Sequence, residues 1–149
     1  QFAFALSTDP KYLILDEPTA NFDPDFKQDF LNVIMQFMES GKKSVIIASH
    51  ILDELDRIAD YLIYLDKGEL VYSGDIESFR DKYRILSGES YKVKLLKQED
   101  IIHAEDRKYG TKALVVNHGY SKYDGALTVT VPTLEEFMYH YSKRGESVI

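Results

Sequence analysis

The chain has 149 residues, 44% of them hydrophobic, with 25 acidic against 18 basic side chains and a formal net charge of −7. That balance argues against bulk electrostatic binding to nucleic acid or anionic lipid, and the absence of cysteine excludes disulfides, thiolate catalysis and cysteine-ligated zinc. No apolar run approaches the ~20 residues that a membrane-spanning helix needs, and the length allows one substantial core or two small ones.

Residues 1–6 look like the tail of a helix. Tyr12 to Leu15 then form a short apolar run that delivers two adjacent acids, Asp16 and Glu17, to the point where a buried strand would end. Pro18 stops that strand, because proline has no N–H for the ladder and fixes its own backbone angle. Two carboxylates at a strand's carboxyl edge suit a metal ion and a nucleophilic water, the chemistry of nucleotide hydrolysis. The simpler alternative is an acidic turn with no chemistry. Asp23 can cap a helix with Pro24 at its first position, and Phe26, Phe30, Val33, Ile34, Phe37 and Met38 form an apolar stripe at helical spacing that stops at Gly41. Ser44 to Ser49 is a second β-rich apolar run. It ends in His50, an imidazole able to donate to a phosphate oxygen without a permanent charge.

A second helix is predicted over about Leu52 to Ala59, with Leu55, Ile58 and Ala59 inward and Asp53, Glu54, Asp56 and Arg57 in water. Tyr61–Leu65 and Glu69–Tyr72 predict a hairpin turning at Asp66-Lys67-Gly68. Gly74-Asp75 opens a short helix near Ile76 to Tyr83, and Leu86-Ser87-Gly88-Glu89-Ser90 reads as a linker turn. Beyond about Ser87 the character changes. Tyr91, Val93 and Leu95 alternate with Lys92 and Lys94, the period of a strand with one wet face. Lys112–Asn117 and Ala126–Val131 are two further strand candidates around the Gly- and Tyr-rich turn region 118–125. A closing helix starts near Thr133 with a capping box, Thr133-Leu134-Glu135-Glu136, and Phe137, Met138 and Tyr141 as its apolar side. His103, His118 and His140 lack metal-ligand spacing, which favours surface or packing roles. Tyr109, Tyr120, Tyr123, Tyr139 and Tyr141 have no basic groove beside them, which favours packing over base stacking.

Apolar strands separated by amphipathic helices predict an α/β fold with a parallel sheet covered on both faces. Ligand groups gather at the carboxyl ends of such strands, where Asp16, Glu17 and His50 fall. The expected organisation is an α/β domain over residues 1–86 and a small α+β appendage over 87–149.

The run Leu-Asp-Glu-Pro-Thr, followed closely by Asp23-Pro24, resembles the Walker B segment and D-loop of ATP-binding-cassette (ABC) ATPases. His50 stands where that family carries its switch histidine, and Asp66-Lys67-Gly68-Glu69-Leu70-Val71 with Gly74 is similar to the pattern that follows it. Pro132-Thr133-Leu134-Glu135-Glu136-Phe137 is similar to the closing helix of ABC-2-type exporter ATPases. The resemblance implies part of a P-loop NTPase parallel sheet with flanking helices, and it implies roles. Asp16 would hold Mg²⁺ through water, and Glu17 would orient or deprotonate the water that attacks the γ-phosphate. Asp23 would communicate across a dimer in which each ATP lies between two ATPase domains, and His50 would sense the γ-phosphate. Asp16, Asp23 and His50 are thus the candidates on the ATP and Mg²⁺ side, and Glu17 and His50 the catalytic ones. The D-loop departs from the pattern, since Asn21-Phe22-Asp23 stands where a small residue, leucine and aspartate are usual.

The implied partners are a separate membrane permease and a second ATPase subunit at the cytoplasmic face of the membrane, without nucleic acid and without membrane insertion. Gly41-Lys42-Lys43-Ser44 does not fit a phosphate loop, and the signature-like Leu86–Ser90 follows His50 where the family's signature precedes Walker B. The expectation is therefore the C-terminal portion of a longer ATPase, inactive by itself. Two other readings compete: a soluble ABC ATPase acting on DNA or ribosomes, and a non-catalytic interaction module with vestigial acids. Glu17-Pro18-Thr19 looks more like the transporter form.

Overall fold

The computed structural model describes residues 2–52, 55–119 and 125–146. They form a mixed α/β arrangement that divides into two compact units, Gln1–Ile58 and Ala59–Ile149.

In the first unit, α1 (Phe2–Ser7) leads to β1 (Tyr12–Asp16), α2 (Pro24–Met38) and β2 (Ser44–Ala48), followed by a 3₁₀ turn at Leu55–Arg57. The two strands pair in parallel, from Tyr12 opposite Ser44 to Asp16 opposite Ala48. The long return that parallel strands require is supplied by α2. That helix starts where the sequence puts it. Asp23 accepts from the Phe26 N–H at 2.9 Å, Pro24 occupies the first turn, and the Gly41 N–H closes the far end on the Met38 carbonyl at 2.9 Å. Phe30, Leu31 and Ile34 are its buried stripe, packed with Leu13, Leu15, Val45 and Ile47 from one face of the strand pair. Phe26 and Val33, expected in that stripe, are exposed.

The other face of the pair is open, with Ile14 74% and Ile46 59% exposed. The expected parallel sheet covered on both faces is thus present as two strands with their helices on one side. A sheet face is dried only by an element laid on it, and within this unit the helical packing falls on the Leu13–Leu15 side. Of the helix expected over 52–59, Asp53 and Glu54 lie outside the described residues, and the part that follows is the 3₁₀ turn.

The second unit begins with an antiparallel hairpin, β3 (Tyr61–Asp66) and β4 (Glu69–Asp75). Lys67 and Gly68 form its loop with φ of +49° and +82°, the left-handed pair that a tight hairpin turn demands. Then come α3 (Ile76–Lys82), β5 (Tyr83–Gly88), α4 (Ser90–Lys94), a 3₁₀ turn at Gln98–Asp100, β6 (Ile101–Arg107), β7 (Gly110–Val116), β8 (Thr128–Thr130) and α5 (Leu134–Ser142). The last four strands form one antiparallel sheet in the order β6-β7-β5-β8. Asp75 caps α3 through the Ser78 N–H at 2.7 Å, and Thr133 with Glu136 forms both halves of the capping box on α5.

Here the sequence reading needs correction. Ser90–Lys94 is helical, with Leu95 as its C-cap, because Val93 and Leu96, three apart, are the buried pair, whereas Tyr91 and Leu95 face water. The expected linker turn at 86–90 contains the end of β5, an interior strand bonded to β7 on one edge and β8 on the other. β6 was not foreseen. The change of character near Ser87 falls inside β5, and the compact units divide between Ile58 and Ala59. Of the turn region 118–125, residues 120–124, with Tyr120 and Tyr123, lie outside the described residues. Two cores flank the sheet: Leu86, Val93, Leu96, Ala104, Ala113, Val115 and Leu127 on the α4 side, and an aromatic cluster centred on Phe137 of α5 on the other.

Candidate functional site

β1 carries Asp16 as its last residue, exposed on the strand tip. The next residue leaves the strand abruptly. Glu17 has φ of +45°, a left-handed conformation that a non-glycine residue adopts only at a cost of about 1–2 kcal/mol. Its N–H still donates to the Ala48 carbonyl at 2.8 Å, so the ladder with β2 runs one residue further while the side chain turns to the end of β2.

There the Glu17 carboxylate is gripped from three sides. Oε1 accepts from the His50 backbone N–H at 3.1 Å and lies 2.8 Å from the His50 ring Nδ1. Oε2 accepts from the Ser49 hydroxyl at 3.3 Å. Ser49 Oγ in turn accepts from the Ile51 N–H at 3.0 Å, which fixes the chain as it leaves the strand. The His50 hydrogen bond, aided by its charge and by the backbone and Ser49 donors, holds the Glu17 carboxyl below its ordinary 4.5 against the opposing effect of desolvation. A carboxylate only accepts, so His50 presents Nδ1–H to it. In the neutral ring, Nε2 is then a bare acceptor, and it becomes a donor only when the ring gains a second proton.

Asp23 does not join this pair. Its Oδ1 serves the N-cap of α2. The turn between Glu17 and Asp23 is closed by Ala20 N–H to Glu17 O (3.4 Å) and Phe22 N–H to Thr19 O (3.1 Å), with Thr19 buried beneath it. Phe22, the bulky residue of the D-loop pattern, packs inward, edge-on to Phe26 and Phe30 with ring centres 4.7 and 5.9 Å away. Glu17 and His50 are thus in direct contact, Asp16 stands beside them at the strand end, and Asp23 caps the following helix. Ser49 was not singled out by sequence. Its signal is a small hydroxyl residue directly before a histidine at a strand's carboxyl end.

Among the described residues, no three His, Asp or Glu side chains converge as metal ligands. A cation at Asp16 would therefore have fewer than three such side chains around it. That donor set fits Mg²⁺, which keeps several waters and takes one or two carboxylates together with substrate phosphates.

The geometry can be set beside known proteins. No family model matches the chain. An ABC transporter ATP-binding protein of Mycoplasma pneumoniae is 43% identical over 70 residues, 47% of this chain and 22% of that protein. Energy-coupling factor transporter ATP-binding proteins are similar too. That of Caldanaerobacter subterraneus subsp. tengcongensis is 41% identical over 81 residues, 54% of this chain and 28% of the relative, and that of Streptococcus pyogenes 35% over 69 residues, 46% and 24%. The chain thus spans about a quarter of the length of these curated relatives, and the similarity, which supports an ABC-type ATPase segment, extends over about half of it. UvrA2 from Deinococcus radiodurans superposes with a TM-score of 0.42 at 18% identity, over 76% of this chain and 16% of that one, a likeness too low to define the fold.

Proposed function

We propose that the chain is the hydrolysis-side portion of the ATP-binding subunit of an ABC transporter, which powers movement of a substrate, in the export direction, through a separate membrane permease. The observation that carries this reading is the contact of Glu17 with His50 where two parallel strands end side by side. Similarity to transporter ATP-binding proteins over about half the chain supports the same class.

Each residue has a task in this reading. Glu17, ionised and held by His50 and Ser49, orients the attacking water and accepts its proton. Asp16 holds the waters of Mg²⁺. Mg²⁺, when bound, neutralises charge on the β- and γ-phosphates. His50 exchanges its bond to Glu17 for the γ-phosphate, which requires that the ring either turn or carry a second proton. Asp23 keeps α2 in place and faces a second ATPase subunit through the D-loop. The subunit acts on the permease from the cytoplasmic face of the membrane; among the described residues no helix is long and apolar enough to cross it. The export direction rests on the similarity of residues 132–137 to the closing helix of ABC-2-type exporter ATPases. The 149 residues alone are expected to hydrolyse no ATP, since the phosphate loop that cradles a triphosphate is a separate segment from these.

The test is Glu17→Gln in a polypeptide that joins this chain to a phosphate loop and signature segment. Turnover should fall by on the order of 10²–10⁴ while ATP binding persists, the loss expected of a general base. Undiminished turnover would overturn the role of Glu17, and failure to co-purify with a membrane protein would overturn the transporter assignment.

A further inference from the structure

The second unit holds a pair of titratable groups that the ATPase reading does not use. β6 carries a bulge: its register with β7 passes from Ile101 opposite Val115 to His103 opposite Leu114. The extra residue, Ile102, re-aims the strand so that His103 turns inward to α5. From α5, His140 comes to meet it. The two Nδ1 atoms are 2.8 Å apart, the rings are tilted at 53°, and both side chains are buried. Facing imidazole nitrogens share a hydrogen bond only when one carries the proton and the other offers its lone pair. A second proton in that gap sets two N–H groups against each other.

Among the described residues, most of the charge around the pair is already engaged. On β6, Glu105 binds Arg107 and accepts from the Tyr139 hydroxyl at 2.8 Å. On β7, Lys112 is tied to Glu136 of α5. Lys143 donates to the Tyr139 hydroxyl at 3.0 Å, and the Glu146 carboxylate favours the charged form of His103. Glu105 and Glu136 are thus already engaged by cations.

We propose that His103 and His140 form a proton-operated latch that holds α5 on the sheet at neutral pH and releases it in mild acid. α5 and the residue pair just past its end have four polar ties: Lys112–Glu136 at the first turn, Tyr139–Glu105 and His103–His140 towards the last, and Arg144–Asp66 to the hairpin turn. The histidine tie alone changes protonation between neutral pH and the carboxylate range. Burial pushes His140 down to about 4 and His103 in the same direction, so the released state takes up protons before the docked one does. The latch is therefore fully set above the ordinary histidine value of 6.5 and weakens as pH falls through that value to about 4. Release uncovers Phe137 and its ring partners Tyr64, Phe79 and Tyr83.

The experiment is amide hydrogen exchange on the intact chain at pH 7 and pH 5, corrected for intrinsic exchange, with imidazole NMR over the same range. For His140 alone, protection of the α5 amides should fall by about 20-fold between the two pH values, with the imidazoles of the docked form still neutral. In His103→Asn/His140→Asn, where amides replace the facing nitrogens and cannot titrate, the fall should shrink to within about 3-fold. Two results overturn the proposal: imidazoles that titrate near the ordinary value in the docked form without loss of α5 protection, or an equal acid loss in the double variant. If the double variant does not fold, the titration of the unmodified chain decides the matter by itself.

Discussion

The Nδ1 atom of His50 lies 2.8 Å from Oε1 of Glu17, and the His50 backbone N–H donates to the same oxygen at 3.1 Å. One residue thus supplies two donors to a single carboxylate oxygen, and that oxygen belongs to the proposed general base. The pairing works because β1 and β2 are parallel and in register, so their carboxyl ends coincide.

His50→Ala should raise the Glu17 carboxyl towards its ordinary 4.5, since the ring bond is the leading cause of its depression. The readout is the carboxyl ¹³C shift of Glu17 during an acid titration. A group depressed in the folded chain contributes stability above its unfolded value, and loses it as pH falls through its folded value. The variant should lose that acid dependence. An unmoved Glu17 titration would show that Ser49 and the backbone suffice.

Asp23 carries a structural task that can be separated from any role at a subunit contact. Asp23→Ala removes the acceptor for the Phe26 N–H and should cost about 1 kcal/mol in urea unfolding. Asp23→Ser keeps a capping oxygen and discards the charge, so stability should return to within about 0.5 kcal/mol. Any loss of activity left in Asp23→Ser of the assembled ATPase then belongs to the carboxylate itself.

Phe137 is the hub of the second unit, in ring contact with Tyr64, Phe79, Tyr83 and Tyr141 and almost wholly buried. Phe137→Ala should cost about 3–5 kcal/mol, from lost transfer energy and the cavity left among the rings. Tyrosine fluorescence can follow the unfolding, as the chain has no tryptophan. A cost under about 1 kcal/mol would mean that the cluster collapses freely around the gap.

The hairpin turn offers changes in both directions. No atom lies within 4 Å of the point where a Cβ on Gly68 would sit, so Gly68→Ala carries only the conformational cost of φ +82°, about 1 kcal/mol. Lys67, at φ +49°, is itself in left-handed backbone, and Lys67→Asn should add stability of about 0.5 kcal/mol because asparagine tolerates that region. Opposite shifts in melting temperature for the two variants are expected, and shifts of the same sign would argue against this turn.

Much of the first half was legible from local chemistry. Pro18 ended a strand, Asp23-Pro24 started a helix, Gly41 closed it, and Asp66-Lys67-Gly68 turned a hairpin, each because a short-range backbone rule left one solution. The same is true of Thr133 and Glu136, whose capping box needs only four consecutive residues. Segment 83–107 was illegible for the opposite reason. Tyr83–Gly88 is a strand because residues 111–116 and 128–130 pair with its two edges, partners that no local pattern names. Tyr91, Val93 and Leu95 gave a period of two over too few residues to exclude a helix, and burial of Val93 with Leu96 decided for the helix. The bulge at Ile102 broke the alternation that would have revealed β6.

For the candidate site, the amino-acid order alone placed Asp16, Glu17 and His50 at the ends of two apolar runs. Only the tertiary structure joined them, because the contact depends on parallel pairing across a helical crossover and on the left-handed turn of Glu17. It also committed Asp23 to the helix cap, brought Ser49 to the carboxylate, and drew His103 and His140 together from positions 37 residues apart. Motifs are written in neighbouring residues, whereas hydrogen bonds between side chains are set by distances that exist only once the strands and helices have packed.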